Sequence, residues 1–403
     1  MALLRPFKGL RPPKNLAEQV AAPPYDVVSS AEARAYAEGN PRCFFHVSRP
    51  EIDLPAGTDE HAAEVYTRGL KNLQHFVADG TLKRDEQPRL YVYRQKMGAH
   101  EQTGVVAAAS VAEYDAGAIK KHELTRADKE DDRTRHIDVL GANDEPVFLT
   151  YRARPAIDDA VDENCASAPE YDFSSSDGVK HTLWLAPPAL GQGVIDQFKS
   201  VDALYIADGH HRSAAASRVH ALRRGRPGEH DAFLAVIFPH DQMQILPYYR
   251  LVKDLFGHSA KSLLEKVGEK FVVTKGGGQR PASLHQFGLF LEGEWYLLAA
   301  RPGTWLETPV GQLDVSILQS NLLAPLLGIG DPRTDKRIDF VGGIRGPEEL
   351  ERRVRGGGAQ LGFTLFPTSL EQLIAIADAN EIMPPKSTWF EPKLRSGLVV
   401  HEF

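Results

Sequence analysis

One short segment constrains the fold more than any other. It is the turn Asp208-Gly209-His210-His211-Arg212, set between an apolar run and an alanine-rich stretch. Val201-Asp-Ala-Leu-Tyr-Ile-Ala207 has the character of a strand, and Ser213 to Leu222 that of a helix. A strand feeding a helix through glycine predicts a bend at Gly209, where the missing Cβ opens backbone angles closed to other residues. The first amides of that helix lack intrahelical partners, and with the helix dipole they make an anion site. Arg212 can fork onto phosphate oxygens, His210 and His211 can donate further hydrogen bonds, and Asp208 can hold Mg2+ or accept a proton. Two other readings stay open. Asp208 could be an ordinary N-cap beside two surface histidines. Asp208, His210 and His211 could also ligate a metal, which needs a sharp backbone bend before adjacent histidines converge.

Two further constellations carry chemistry. Lys120-Lys121-His122-Glu123-Leu124-Thr125 places a carboxylate beside a histidine, a pairing suited to a general base. Lys129 and Arg133 follow, four apart and therefore on one helix face, as cationic support of the kind phosphoryl transfer uses. A solvated, salt-bridged helix start explains the same residues. Met383-Pro-Pro-Lys386-Ser387-Thr388 offers one cation and two hydroxyls behind a stiff Pro-Pro approach, as either a ligand-touching loop or a plain turn. Ala22-Pro-Pro-Tyr-Asp26-Val-Val28 forces an extended path with Asp26 held at its end, or a rigid surface turn.

At 403 residues the chain is long enough for two or three lobes. Helical spacing over His61–Ala78, strands at 90–93, 104–109, 146–151 and 181–185, and a pair at 233–238 and 244–250 alternate without a βαβ rhythm. The fold class expected is therefore α+β. A hairpin around Glu292-Gly293-Glu294, an apolar helix over Leu313–Leu327 and a capping box at Ser369 and Gln372 follow. Gly276–Gly278 and Gly356–Gly358 are candidate seams. The net charge of −7 argues against a nucleic-acid or anionic-membrane surface. Two distant cysteines, Cys43 and Cys165, argue against a disulfide framework or a thiolate zinc site. With no run of about 18 apolar residues and no signal-peptide core, the cytoplasm is the expected compartment.

The motif Ala207-Asp-Gly-His-His-Arg212 resembles the nucleotide-phosphate motif of the ParB/sulfiredoxin-like superfamily, most closely that of free L-serine kinases. The whole chain resembles the family known as domain of unknown function 1015. The matching segments are Arg5-Pro-Phe-Lys-Gly-Leu10, Ala22-Pro-Pro-Tyr-Asp-Val27, His122-Glu-Leu-Thr125, Pro146-Val-Phe-Leu149, Asp314-Val-Ser316, Pro325-Leu-Leu-Gly328 and Met383-Pro-Pro-Lys-Ser-Thr388. The resemblance implies a ParB/sulfiredoxin-like mixed-sheet core elaborated by further α/β lobes. It implies a phosphate-binding core over residues 1–255 and a C-terminal lobe over 256–403 that returns the Met383–Thr388 loop to the site.

The resemblance to serine kinases also assigns roles. Glu123 would take the proton of a serine hydroxyl, with His122 beside it, although Lys121 stands where those kinases have proline. Asp208 would assist Mg2+ or the acceptor. Gly209, His210, His211 and Arg212 would hold phosphates, with Lys129, Arg133, Lys386, Ser387 and Thr388 in support. The expected reaction forms O-phospho-L-serine from ATP, ADP or pyrophosphate, with no nucleic-acid or membrane partner and a homodimer among the assemblies allowed. The alternatives are a non-catalytic ParB-like nucleotide switch and a metal-dependent hydrolase using the histidine pair.

Overall fold

Every residue of Ala232–Pro239 and of Val147–Tyr151 is buried, the pattern of central strands covered on both faces. They belong to a nine-stranded mixed sheet in the computed structural model, which describes residues 3–403. The chain divides into two compact units. One runs to Met243 and takes back Pro392–Phe403, and the other comprises Gln244–Glu391.

The strands of this sheet, all in the first unit, are β1 (Leu4–Arg5), β2 (Tyr91–Met97), β3 (His100–Ser110), β4 (Ile119–Lys120), β5 (Val147–Tyr151), β6 (Tyr171–Ser174), β7 (Lys180–Leu185), β8 (Leu204–Asp208) and β9 (Ala232–Pro239). Their order is β4-β8-β5-β9-β3-β2-β7-β6, with β1 also on β3. The pairs β4–β8 and β5–β9 are parallel and the rest antiparallel. Val105, Ala107, Leu149, Ile206, Ala235 and Ile237 form the middle of the main core.

Helix α1 (Ala63–Ala78) buries Leu73 and Phe76 with Phe44, Phe45 and Val400 in a second cluster. Helices α2 (Ala127–Leu140) and α3 (His210–Leu222) meet through Ile137, Ala215 and Val219. The C-terminal segment is stitched in by backbone hydrogen bonds: Leu10 and Val400 exchange two, and His401 pairs with Asn143.

The second unit holds an antiparallel six-stranded sheet of β10 (Tyr248–Val252), β11 (Phe271–Lys275), β12 (Gln286–Leu291), β13 (Glu294–Ala300), β14 (Ile338–Gly342) and β15 (Leu361–Leu365), ordered β11-β13-β12-β15-β10-β14. Helices α4 (Ala260–Lys270), α5 (Asp314–Leu318), α6 (Gly346–Arg355) and α7 (Leu370–Asp378) accompany it. Gln244–Leu246 pairs with Trp389–Glu391, so the chain enters and leaves this unit side by side.

The α+β expectation holds, with a large mixed sheet and several helices. Three local readings are corrected. Strand 232–239 does not pair with the strands near 244–250; its partners are β3 and β5, because strand pairing is decided over long range. The apolar helix read over 313–327 is α-helical only at Asp314–Leu318 and continues as a π-helical turn over Gln319–Leu323. Both glycine triplets lie inside the second unit rather than at its limits. Among the described residues no helix is long and apolar enough to cross a membrane.

Candidate active site

Two parallel neighbours place the site. Strands β4 and β8 pair as Ile119 with Leu204 and Lys120 with Tyr205, so both chains leave the sheet at the same end. The residues that follow, His122-Glu123 and Gly209-His210, are thereby delivered to one edge. A register shift between Ile206 and Asp208 marks a bulge at Ala207, just before Asp208 makes the last pairing of β8, with Phe148. Gly209 then takes φ +100° and caps α3. A Cβ at Gly209 would stand 3.0 Å from Arg212 Nε and 3.1 Å from its Cζ, so the turn requires glycine both for its angle and for its space. The alanines after it, Ala214 to Ala216, are buried, and their small side chains let the first turns of α3 sink into the unit.

Asp208 is gripped by two cations. Its Oδ2 accepts from Lys393 Nζ at 3.0 Å, and its Oδ1 lies 3.6 Å from Arg212 Nη2. Burial alone would raise its pKa; Lys393 and Arg212 outweigh that and hold the carboxyl well below its usual range. The buried Arg212 also donates to the carbonyl of Pro146. His210 is buried with its ring edge-on to that of His122, centroids 4.5 Å apart, and its Nε2 accepts from the His122 amide at 3.5 Å. Neither ring nitrogen of His122 makes a well-formed hydrogen bond; the Ile206 backbone is a weak partner. Burial pushes the His122 pKa down to about 4 and that of His210 well below its ordinary value. Both rings are therefore neutral at pH 7, and the positive charge at the turn comes from Arg212 and Lys393. One ligating atom each from His122, Glu123 and His210 falls within 4.8 Å of the others.

His211 points elsewhere: its Nε2 accepts from the Arg126 amide at 3.0 Å. The adjacent histidines thus diverge, and the ligating group that converges is His122, Glu123 and His210 instead of Asp208, His210 and His211. Both Lys129 and Arg133 lie on α2. Arg133 is buried, paired with Asp132 at 2.8 Å and lying over the Tyr25 ring at 4.0 Å, while Lys129 is partly exposed. Lys121 stands over the Tyr114 ring at 3.9 Å. Lys386, Ser387 and Thr388 belong to the second unit. There Lys386 takes φ +57°, its carbonyl accepts from Arg250 at 3.0 Å, and Ser387 Oγ donates to the Pro384 carbonyl at 2.6 Å.

Beneath the turn lies a buried ionisable layer that sequence reasoning missed. Glu145 Oε1 accepts from the Tyr25 amide and from Ser396 Oγ, both at 2.9 Å, while its Oε2 has no partner. Burial, then the neighbouring Asp144, pushes the Glu145 pKa up to about 8. Asp144 in turn meets His136 at 2.9 Å. In the sequence Asn143-Asp144-Glu145 looks like an ordinary polar turn before a strand. Its one signal is its place directly before Pro146, whose carbonyl receives Arg212. Lys393 carried no local signal, since it reaches Asp208 across 185 positions. A cavity of about 280 Å3 in the first unit, lined by Arg94, Glu101, Tyr151, Asp158, Asp162 and Gln242 among others, includes none of the turn's residues. That cavity groups Arg94 with carboxylates, whereas the glycine-bent helix start with His122, Glu123 and His210 lies outside it, and the site is placed at that helix start.

The family model described as protein of unknown function, DUF1015, matches residues 4–316 of the chain. A comparison with curated proteins finds no match. Among solved structures, a free serine kinase variant in complex with AMP aligns at TM-score 0.37 and 13% identity, covering 73% of this chain and 92% of that one. A conserved hypothetical protein from Pyrococcus furiosus aligns at TM-score 0.36 and 14% identity, over 74% and 95%. C-terminally truncated SbnI from Staphylococcus aureus aligns at TM-score 0.38 and 10% identity, over 73% and 87%.

Proposed function

The chain belongs to the DUF1015 family, and from that premise we propose that its first unit is a phosphotransferase acting on a small hydroxyl compound, with free L-serine as the acceptor. The observation that carries this is the meeting of Glu123, His122 and His210 within 4.8 Å at the start of α3. A base for an acceptor hydroxyl stands there beside a glycine-bent helix end suited to a phosphate. The reading of the core as ParB/sulfiredoxin-like belongs to the same proposal and rests on the Asp208–Arg212 motif.

In this reading the donor phosphates lie against the amides of Gly209 to His211, with Arg212 and Lys393 countering their charge. Glu123 takes the proton from the acceptor oxygen as that oxygen attacks the terminal phosphorus of ATP, ADP or pyrophosphate; the bridging P–O bond breaks and ADP, AMP or phosphate respectively leaves. The neutral imidazoles of His122 and His210 orient neighbouring groups without adding charge. The buried layer of Tyr25, Arg133 and Glu145 fixes the backbone under the turn. Mg2+, commonly held by one or two carboxylates together with substrate phosphates and water, would be held by Asp208 once the donor phosphates draw Lys393 from its carboxylate. Bound there, Mg2+ would screen the phosphate charge.

The test is phosphoserine formation from serine and each donor with Mg2+, followed by mass spectrometry. Donor consumption that depends on serine is expected. Replacing Glu123 with alanine is expected to lower kcat by about 100-fold or more, the usual contribution of a positioned base. No turnover with any donor by well-folded protein, or full activity in the alanine variant, would overturn the reading.

A further inference from the structure

We infer that His122, Glu123 and His210 form a binding site for one first-row transition-metal dication, of the Zn2+ or Co2+ class. This ion is distinct from the Mg2+ that would accompany a phosphate donor. The three residues arrive from two neighbouring parallel strands, β4 and β8, and their ligating atoms lie within 4.8 Å of one another. His122 supplies an independent sign of a ligand. It is 1% exposed, and neither ring nitrogen makes a well-formed hydrogen bond. Buried polar groups are nearly always satisfied, and an imidazole with both nitrogens poorly met calls for a partner. A metal ion placed against His210 would supply one.

The donor set selects the metal. Two imidazole nitrogens and one carboxylate oxygen suit Zn2+, Co2+ and their neighbours, whereas Mg2+ takes oxygen ligands and keeps its water. Three protein ligands leave a fourth position open, the arrangement of reactive rather than purely structural sites. Metal–ligand bonds of about 2.0–2.2 Å place ligand atoms about 3.4 Å apart. Glu123, partly exposed and with three rotatable bonds, is the residue that closes the remaining gap. The same carboxylate takes the acceptor proton in the phosphotransfer reading, so ion binding and turnover exclude one another, and binding is measured without substrate.

The full chain, stripped with a chelator, is titrated with Co2+ and followed by visible absorption. One Co2+ per chain is expected, with the bands of imidazole-ligated cobalt, displaced by Zn2+ and retained in excess Mg2+. Because His122 is buried, Glu123→Gln carries the test, with circular dichroism confirming the fold. It is expected to weaken Co2+ binding about 10-fold or more, the least that losing even an outer partner of a metal ligand costs. His211→Gln, one residue away but facing Arg126, is expected to leave Co2+ binding unchanged. Absence of saturable binding, displacement by Mg2+, or full affinity in Glu123→Gln overturns the site. Phosphoserine formation without Co2+ binding removes the metal site alone, and Co2+ binding without phosphoserine formation removes the phosphotransfer reading alone.

Discussion

Glu145 and Asp208 are both acidic and both feel the charge of Arg212, yet their surroundings drive them in opposite directions. Lys393 and Arg212 keep Asp208 ionised, whereas burial beside Asp144 keeps the Glu145 proton on up to about pH 8. Between its ordinary value near 4.5 and about 8, Glu145 is protonated in the folded chain and ionised in the unfolded one. The folded state then binds more protons, so stability falls as pH rises through that window, by up to about 1.4 kcal/mol per pH unit. Glu145→Gln keeps the shape and an acceptor for the Tyr25 amide. Urea midpoints are expected to lose this downward slope and to rise at pH 8; an unchanged slope would refute the assignment. At Gly209, alanine would be forced to hold φ +100° while its Cβ pressed on Arg212. Gly209→Ala is expected to cost about 1–2 kcal/mol from the angle alone, and a variant as stable as the parent would show that the bend is relaxed.

At the scale of elements, what could be read early was local. The hairpin of β12 and β13 turns through Glu292 and Gly293, both at positive φ, and its sequence signal sits within the turn itself. Helix α7 begins with the expected box: Ser369 Oγ accepts from the Gln372 amide at 3.1 Å, and Gln372 Oε1 accepts from the Ser369 amide at 3.0 Å. Ser369→Ala is expected to destabilise the second unit by about 1 kcal/mol, read as a shift in the denaturant midpoint of its tryptophan fluorescence. No shift would mean the cap is replaced by water. Strand β9 was equally visible as a strand, but its partners were not, because continuous apolar burial carries no register and the contacts to β3 and β5 close long loops.

At the scale of the whole molecule, the first unit is discontinuous in sequence, and its last segment carries Lys393 to Asp208 and Ser396 to Glu145. Gln244 and Glu391 are direct strand partners, so the points where the second unit begins and ends are neighbours. A chain in which residues 244–391 are replaced by a short glycine-serine linker is expected to fold as the first unit, with a single cooperative melt. A chain simply stopped after Glu391 loses Lys393, Val400 and His401 and is expected to melt lower and bind anions at the turn less well. Equal melting of the two chains would show that the returning segment contributes nothing.

The strand, the glycine bend, the helix and the residues on the turn are legible in the amino-acid order alone, because each depends on neighbours a few positions away. So is the α+β class, through periods that need no knowledge of partners. The meeting of Glu123 and His122 with His210, the turning aside of His211, and the completion of the surroundings by Lys393 and a buried Glu145 emerge from the folded arrangement. Those arrangements depend on which strands lie side by side and which segment returns, and burial and charge act through space, where separation along the chain has no bearing.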